Sequence, residues 1–363
     1  MRPTLVLALV LTGCPSDYEV IPAPPDIDPG DVTECDFTRV LDSDFYSYDC
    51  NPVFTTSGET WAGAIGNTTF NVTEVVGHPF YQMWYIGAPV GSEYGDYGLG
   101  YAISDDGTTW TPYPSNPLLE EPEDFRAWNH DGMQGMQVVW DPTAMQYLIL
   151  YGGYNVVGSE WKLGTASSVD GLDWELSDPV FDLVNPSSGG MVNGCWPLGL
   201  SLGTVGGYKG YVAGYNMGET ACSMYAMSSA DGLSWTMGER QMIPAGPPNS
   251  WYDEGFISTA VVELAGSWYM FFVGFGDWEV NVGYQTSSQM FLGWATSSDG
   301  DTWEVQQERI PINQTPQGEV GAVAANRVGD RIHLWVTDTW GGESGVGYFI
   351  YDPLGSMGGD TAE

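Results

Sequence analysis

Positive charge is scarce in this chain: 9 Lys and Arg stand against 47 Asp and Glu, a formal net charge of −38. A surface so acidic repels phosphate backbones and excludes a nucleic-acid partner. An anionic substrate is also excluded, because such a site needs clustered arginines. Arg39, Arg126, Arg240, Arg309, Arg327 and Arg331 are instead scattered along the sequence. Histidine is limited to His78, His130 and His333, too few for a multi-histidine zinc site. The five cysteines form no C-x-x-C pair, which removes thioredoxin-like and zinc-ribbon readings. The Ala/Leu/Glu/Lys composition of long helices and any apolar heptad run are missing. Beyond the first dozen residues no apolar stretch reaches the roughly 18 residues of a membrane-spanning helix. What is abundant is glycine, at 49 residues, and aromatic side chains, at 14%. That balance predicts an all-β chain.

The first residues, MRPTLVLALVLTGC, combine Arg2, a short apolar run Leu5–Leu11, and Thr12-Gly13-Cys14. A run this short is the core of a signal peptide. The Leu11-Thr12-Gly13-Cys14 stretch resembles the bacterial lipobox, which implies cleavage before Cys14 and lipidation of its sulfur; an ordinary secretory peptide is the alternative. Residues 14–36 then read as an acidic, Pro-rich tether. The expectation is an exported protein, lipid-anchored to the bacterial cell envelope at the outer membrane or cell surface. Pro15 and Ser16 after the lipid cysteine fit outer-membrane sorting if the cell is Gram-negative. Four cysteines remain for an oxidising compartment: Cys35, Cys50, Cys195 and Cys222. Nearest-neighbour pairing joins Cys35 to Cys50 and Cys195 to Cys222, with two other pairings open.

One motif repeats four times: Ser104-x-Asp106-Gly107-x-x-Trp110, Ser168-x-Asp170-Gly171-x-x-Trp174, Ser229-x-Asp231-Gly232-x-x-Trp235 and Ser297-x-Asp299-Gly300-x-x-Trp303. Successive motif aspartates lie 64, 61 and 68 residues apart. Asp-Gly favours a tight turn with positive φ at glycine, and the tryptophan opens the returning strand. Strand ends follow at Asn116–Leu119, Asp178–Phe181, Gln241–Pro244 and Arg309–Ile312, and a matching Asn51–Phe54 lies near the N-terminus with no motif before it. The segment Glu319–Tyr351 starts like the others but lacks the motif. A ring accounts for both ends, with residues of about 37–54 supplying the outermost strand of the last unit. Second strands read as Tyr81–Ile86, Tyr147–Tyr151, Tyr208–Val212, Trp268–Val273 and Arg331–Val336. Units of this length with four short strands predict a five-bladed β-propeller over residues 37–352, followed by a loose tail at 353–363.

The run Tyr81-x-Met83-Trp84-Tyr85, then Gly100-Tyr101-Ala102-x-Ser104-x-Asp106-Gly107-x-x-Trp110, then Asn116-Pro117-Leu118-Leu119, resembles the five-bladed propellers of the arabinanase, invertase, levansucrase and mannoside-phosphorylase superfamily. The turn motif itself resembles a shortened sialidase Asp-box, a structural feature of the blade periphery. The resemblance implies glycoside hydrolysis with an Asp on the first inner strand, an Asp on the second and a Glu on the third. Those positions hold Asn67, Gln134 or Gly135, and Cys195. Asparagine cannot serve as a general base, nor a disulfide-bonded cysteine as an acid. The superfamily's own catalytic set is therefore replaced, unless Asp131 or Glu254 takes over its work.

Aligning the starts of the inner strands gives an axial ring of Ala64, Asp131, Asn193, Glu254 and Glu319. Carboxylates held near one another push their pKa values apart, as a glycosidase acid/base pair requires, so Asp131, Glu254 and Glu319 are the catalytic candidates. Trp61, Asn67, Trp128, His130, Asn193, Trp196, Trp251, Tyr252 and Asp253 flank them as candidate substrate-binding residues. The competing reading makes the carboxylates backbone caps and the tryptophans packing between blades. No cofactor is required and no metal ligand set is assigned; calcium is the one ion such an acidic chain could take, although the motif aspartates lack D-x-D-x-D-G spacing. The partner expected is a neutral glycan or oligosaccharide in the central funnel of a monomer, with the membrane met only through the lipid. Three functions stay open: a carbohydrate-active enzyme, a non-catalytic glycan-binding lipoprotein, and a protein-interaction scaffold.

Overall fold

Each repeat unit folds into one antiparallel sheet, and in four of the five the Asp-Gly motif makes the outer turn. The structure is a computed structural model. It describes residues 35–40, 43–56, 61–75, 78–88, 98–120, 122, 124, 126–155, 160–177, 181–182, 197–202, 206–214, 221–276, 289–306, 308–310, 312, 320–340, 343–355 and 357. The propeller belongs to the compact unit Asp36–Glu363.

Three N-terminal strands come first: β1 (Phe37–Arg39), β2 (Phe45–Tyr48) and β3 (Phe54–Thr55). Blade I holds β4 (Ala64–Val75), β5 (His78–Ala88), β6 (Gly98–Ser104) and β7 (Thr111–Pro112). Blade II holds β8 (Met133–Asp141), β9 (Gln146–Asn155), β10 (Glu160–Ser168) and β11 (Glu175–Leu176), with β12 (Phe181–Asp182) also on β10. Blade III is β13 (Pro197–Leu202), β14 (Tyr208–Gly214), β15 (Ser223–Ser229) and β16 (Trp235–Ile243). Blade IV is β17 (Gly255–Leu264), β18 (Ser267–Gly276), β19 (Gln289–Ser297) and β20 (Glu304–Val305). Blade V joins β21 (Ala322–Val328), β22 (Arg331–Trp340) and β23 (Glu343–Tyr351) to β2 and β1, with β3 also on β23. The inner strands β4, β8, β13, β17 and β21 pack side by side and close on β4 again. The result is the expected five-bladed propeller.

Closure by the N-terminus is the expected one. Phe45 pairs with Tyr351, and its buried ring packs on Phe271, Trp294 and Tyr351, anchoring the outer strand of blade V. The outer strands are unequal in length: β7, β11 and β20 have two residues each, and β16 runs for nine. In blade I the reason is the Asn-Pro step. Proline has no N–H for the ladder, and the Asn116 amide takes the place of backbone. Its Oδ1 accepts the Tyr101 N–H at 2.9 Å and its Nδ2 donates to Tyr101 O at 3.0 Å. Asn51 does the same to Tyr348 in blade V, at 2.7 and 3.1 Å. Both Asn-Pro bonds are cis.

The repeated motif is a self-contained hydrogen-bonded turn. Ser104 Oγ donates to Asp106 Oδ1 and accepts the Gly107 N–H, at 2.9 and 2.8 Å, while Asp106 Oδ1 accepts the Thr108 and Thr109 N–H groups, both at 2.7 Å. Gly107, with φ of 78°, turns the chain so that the Trp110 indole N–H donates back to its carbonyl at 3.1 Å. The same carbonyl is also a clasp between blades. Trp335 of blade V donates to Gly107 O at 3.4 Å, Trp84 of blade I to Gly171 O at 2.7 Å, and Lys209 of blade III to Gly300 O at 2.8 Å. In the fourth motif the Trp303 indole N–H is buried without a partner.

Candidate functional site

The lead-in turns to the inner strands are built on tryptophan packed against glycine. The Trp61 ring stacks on Tyr85 with 5.6 Å between ring centres, Trp128 on Tyr151 at 5.4 Å, and Trp251 on Phe272 at 5.7 Å. Each indole also lies over glycines of its own blade: a Cβ on Gly100 would come within 2.7 Å of Trp61, on Gly164 within 2.4 Å of Trp128, and on Gly293 within 2.1 Å of Trp251. These contacts cover one side of each ring with its own blade and fix where the following residues start.

Asp131 and Glu254 each come three residues after such a tryptophan and directly before a glycine with positive φ, Gly132 at 149° and Gly255 at 137°. Strand register makes them equivalent. Met133 opposes Gly153 and Phe256 opposes Gly274, and in blade I the matching pair is Ile65 with Gly87. That register puts Gly63 in blade I opposite the two carboxylates, one residue before Ala64. Asp131 and Glu254 are both half-buried.

Local hydrogen bonds hold the two turns. In blade II the His130 N–H donates to Ala127 O at 3.1 Å, and the Asn155 amide donates to the same carbonyl at 2.6 Å. His130 Nδ1 lies 2.7 Å from Pro122 O. In blade IV the Asn249 N–H donates to Asp253 Oδ2 at 2.6 Å, and the Gly246 N–H to Tyr252 O at 3.0 Å. Asp253 Oδ1 and Ser250 Oγ are buried there without partners. Burial pushes the Tyr252 phenol above its ordinary range. Blade III grips this turn from the side: the Cys222 N–H donates to Glu254 O at 2.8 Å, and Ser223 Oγ accepts the Ala245 N–H at 3.2 Å.

A Cβ on Gly255 would lie 2.6 Å from Cys222 Cβ and 2.7 Å from its carbonyl oxygen. Gly255→Ala therefore forces the Glu254 turn away from blade III and strains φ as well, at a cost of about 1–3 kcal/mol. A lowered Tm in thermal denaturation checks this; an unchanged Tm would mean the turn does not depend on that contact.

Two of the three positions that the superfamily resemblance marks fall in β-bulges. The β4–β5 register shifts between Ile65 and Thr68, around Asn67, and the β8–β9 register shifts between Gln134 and Gln137, around Gly135. A bulge breaks the ladder and bends the strand locally. Further along, hydroxyls stitch the inner strands: Thr69 Oγ1 accepts the Val138 N–H at 3.1 Å, and Ser258 Oγ accepts the Val323 N–H at 3.1 Å. Gln137 Nε2 and Thr259 Oγ1 are buried there with no partner. Sequence reading passed over both; a polar residue inside the apolar runs Met136–Trp140 and Phe256–Val262 was the available signal.

Asn193, Trp196, Glu319, Cys195 and Cys14 lie outside the described residues, as does the Asn67 side chain. Cys35, Cys50 and Cys222 are disulfide-bonded. Among the described residues no three His, Cys, Asp or Glu side chains group as a metal site.

No family model matches the chain, and no curated protein matches it. Solved structures do. A glycosyl hydrolase from Bacteroides ovatus superposes with a TM-score of 0.58 at 15% identity, over 88% of this chain and 94% of that one. The β-1,2-mannobiose phosphorylase from Listeria innocua, in complex with β-1,2-mannobiose, gives 0.59 at 13% identity, over 85% and 96%. A structure from the GH130 family of mannoside phosphorylases, which contains hydrolases that target β-1,2 mannosidic linkages in Candida mannan, gives 0.58 at 16% identity, over 90% and 96%. Identity this low carries the fold; chemistry must come from the residues of this chain.

Proposed function

We propose that the protein is a carbohydrate-active propeller of the cell envelope that takes a neutral polysaccharide or oligosaccharide at the axial end where the lead-in turns lie. The observation that carries this is the equivalent placement of Asp131 and Glu254. They come from two different blades, at one register position, on turns fixed by tryptophans packed against their own blades. Hydroxyl donors of a neutral sugar suit such acceptors, and the net charge of −38 turns anionic glycans away. The glycosidase or mannoside-phosphorylase activity of the structural neighbours supports a glycan as the ligand class. In the catalytic form of the reading, one carboxylic acid protonates the glycosidic oxygen and the other carboxylate works from the opposite face of the ring, with Glu319 as third candidate.

Asn67 and Gln134/Gly135 favour the second form, a glycan-binding protein without hydrolysis, because neither bulge supplies a carboxylate where the superfamily resemblance asks for one. Reducing-sugar release from a panel of plant, algal and microbial polysaccharides separates the two. The comparison uses a soluble chain starting after Cys14 and its Asp131→Asn/Glu254→Gln double variant. Removing an acid/base pair cuts release by about 10²–10⁴-fold. Release by the parent and not by the variant establishes a glycosidase. No release, together with retardation of the parent in affinity gels containing the same polysaccharides, establishes a binder. Neither signal rejects the glycan reading.

A further inference from the structure

We infer that His130 is locked as the Nδ1–H tautomer so that its bare Nε2 accepts a hydroxyl proton of the bound glycan beside Asp131. The inference rests on the glycan reading above and names a contact within that site.

A peptide carbonyl has no proton to give, so the 2.7 Å contact between Nδ1 and Pro122 O requires the hydrogen on Nδ1. In neutral imidazole the Nε2 lone pair is then unprotonated. Among the described residues no hydrogen bond reaches Nε2, and it is not among the enclosed polar atoms that lack partners. The backbone that carries the ring is held as well: the His130 N–H donates to Ala127 O, and the Asn155 amide donates to the same carbonyl.

The register mate in blade IV shows what is particular to blade II. Asp253 is tied to its upstream loop in the same manner, through Oδ2, but its Oδ1 is buried close against Gly276. Asp253 Oδ1 is thus closed to a ligand, where the unbonded ring nitrogen of His130 is not enclosed. A neutral acceptor beside a carboxylate selects a ligand rich in hydroxyl donors, in line with the exclusion of anions by the protein's charge.

The test is nitrogen-15 NMR on the intact soluble chain, which needs no variant to fold. With only three histidines, long-range proton–nitrogen correlations assign each ring. In mildly alkaline buffer, where imidazole is neutral, the expected result is a protonated Nδ1 and an unprotonated Nε2 for His130. The Nε2 resonance should move on adding β-1,2-mannobiose, arabino-oligosaccharide or fructo-oligosaccharide, whichever of these the protein binds by calorimetry. His130→Ala should weaken that binding about three- to tenfold. A protonated Nε2 in the free protein overturns the inference by itself. Calorimetric binding that leaves Nε2 unmoved overturns it while the glycan reading stands. If none of the three sugars and none of the panel polysaccharides binds, both fall together.

Discussion

Trp84→Ala lowers the stability of the propeller by about 3–5 kcal/mol. Trp84 is fully buried in β5, among Tyr101, Tyr147 and Trp174, and its indole N–H reaches Gly171 O of the next blade at 2.7 Å. Alanine removes the largest side chain at the junction of blades I and II and leaves a cavity lined by aromatic rings, which cannot collapse without moving two sheets. Trp84→Phe keeps most of the volume and loses the hydrogen bond, at about 1–2 kcal/mol. Gly171 O is not orphaned in that variant, because the Trp174 indole still donates to it at 3.1 Å. Chemical denaturation of the two variants should therefore rank Ala well below Phe. Equal midpoints would mean that the clasp, and not the packing, holds the blades together.

Acid should weaken the fold through His333. Burial, with the Arg331 guanidinium adding to it, lowers the His333 imidazole from 6.5 to about 4. Its Nδ1 shares a hydrogen bond with the Tyr348 hydroxyl, which burial keeps protonated at all ordinary pH. The unfolded chain binds a proton at this histidine below about pH 6.5, while the folded chain resists until about pH 4. Stability from this group is therefore complete above pH 6.5 and falls as pH drops to 4, by about 3 kcal/mol. A second loss follows at lower pH from the turn aspartates. The Thr302 and Asp301 N–H groups, with Ser297, lower Asp299 to about 2, so protonation there opens the turn only in strong acid. Urea midpoints at pH 7, 5.5 and 4 should fall steadily in the parent, and the same series in His333→Phe should be flatter. Parallel curves would show that some other group sets the acid response.

How much of this was legible in the sequence depends on how far apart the interacting residues are. The Ser-x-Asp-Gly-x-x-Trp turns could be read directly, because every hydrogen bond that shapes them lies within the motif. Counting those turns, and noticing Asn51-Pro52 without one, was enough to place the N-terminal strand on the last blade. The site was legible only in part. The tryptophans before the inner strands stand out as residue types, but the glycines they rest on belong to later strands, and only strand pairing brings Gly153 and Gly164 beneath Trp128. The clasp from Trp84 to Gly171 spans 87 residues and two blades, which no local pattern encodes.

By itself, then, the sequence determined the all-β class, the number of blades and the way the ring closes. These follow from composition and short-range turn chemistry, which act without reference to distant neighbours. Only the tertiary structure decided that Asp131 and Glu254 share one register position, that Asn67 and Gly135 lie in bulges, that His130 Nδ1 meets Pro122 O, and that His333 is buried. Each of these depends on which backbone or side chain comes to lie opposite. In a propeller that partner is set by strand pairing within a blade and by packing between blades, not by the residue's own neighbours in the chain.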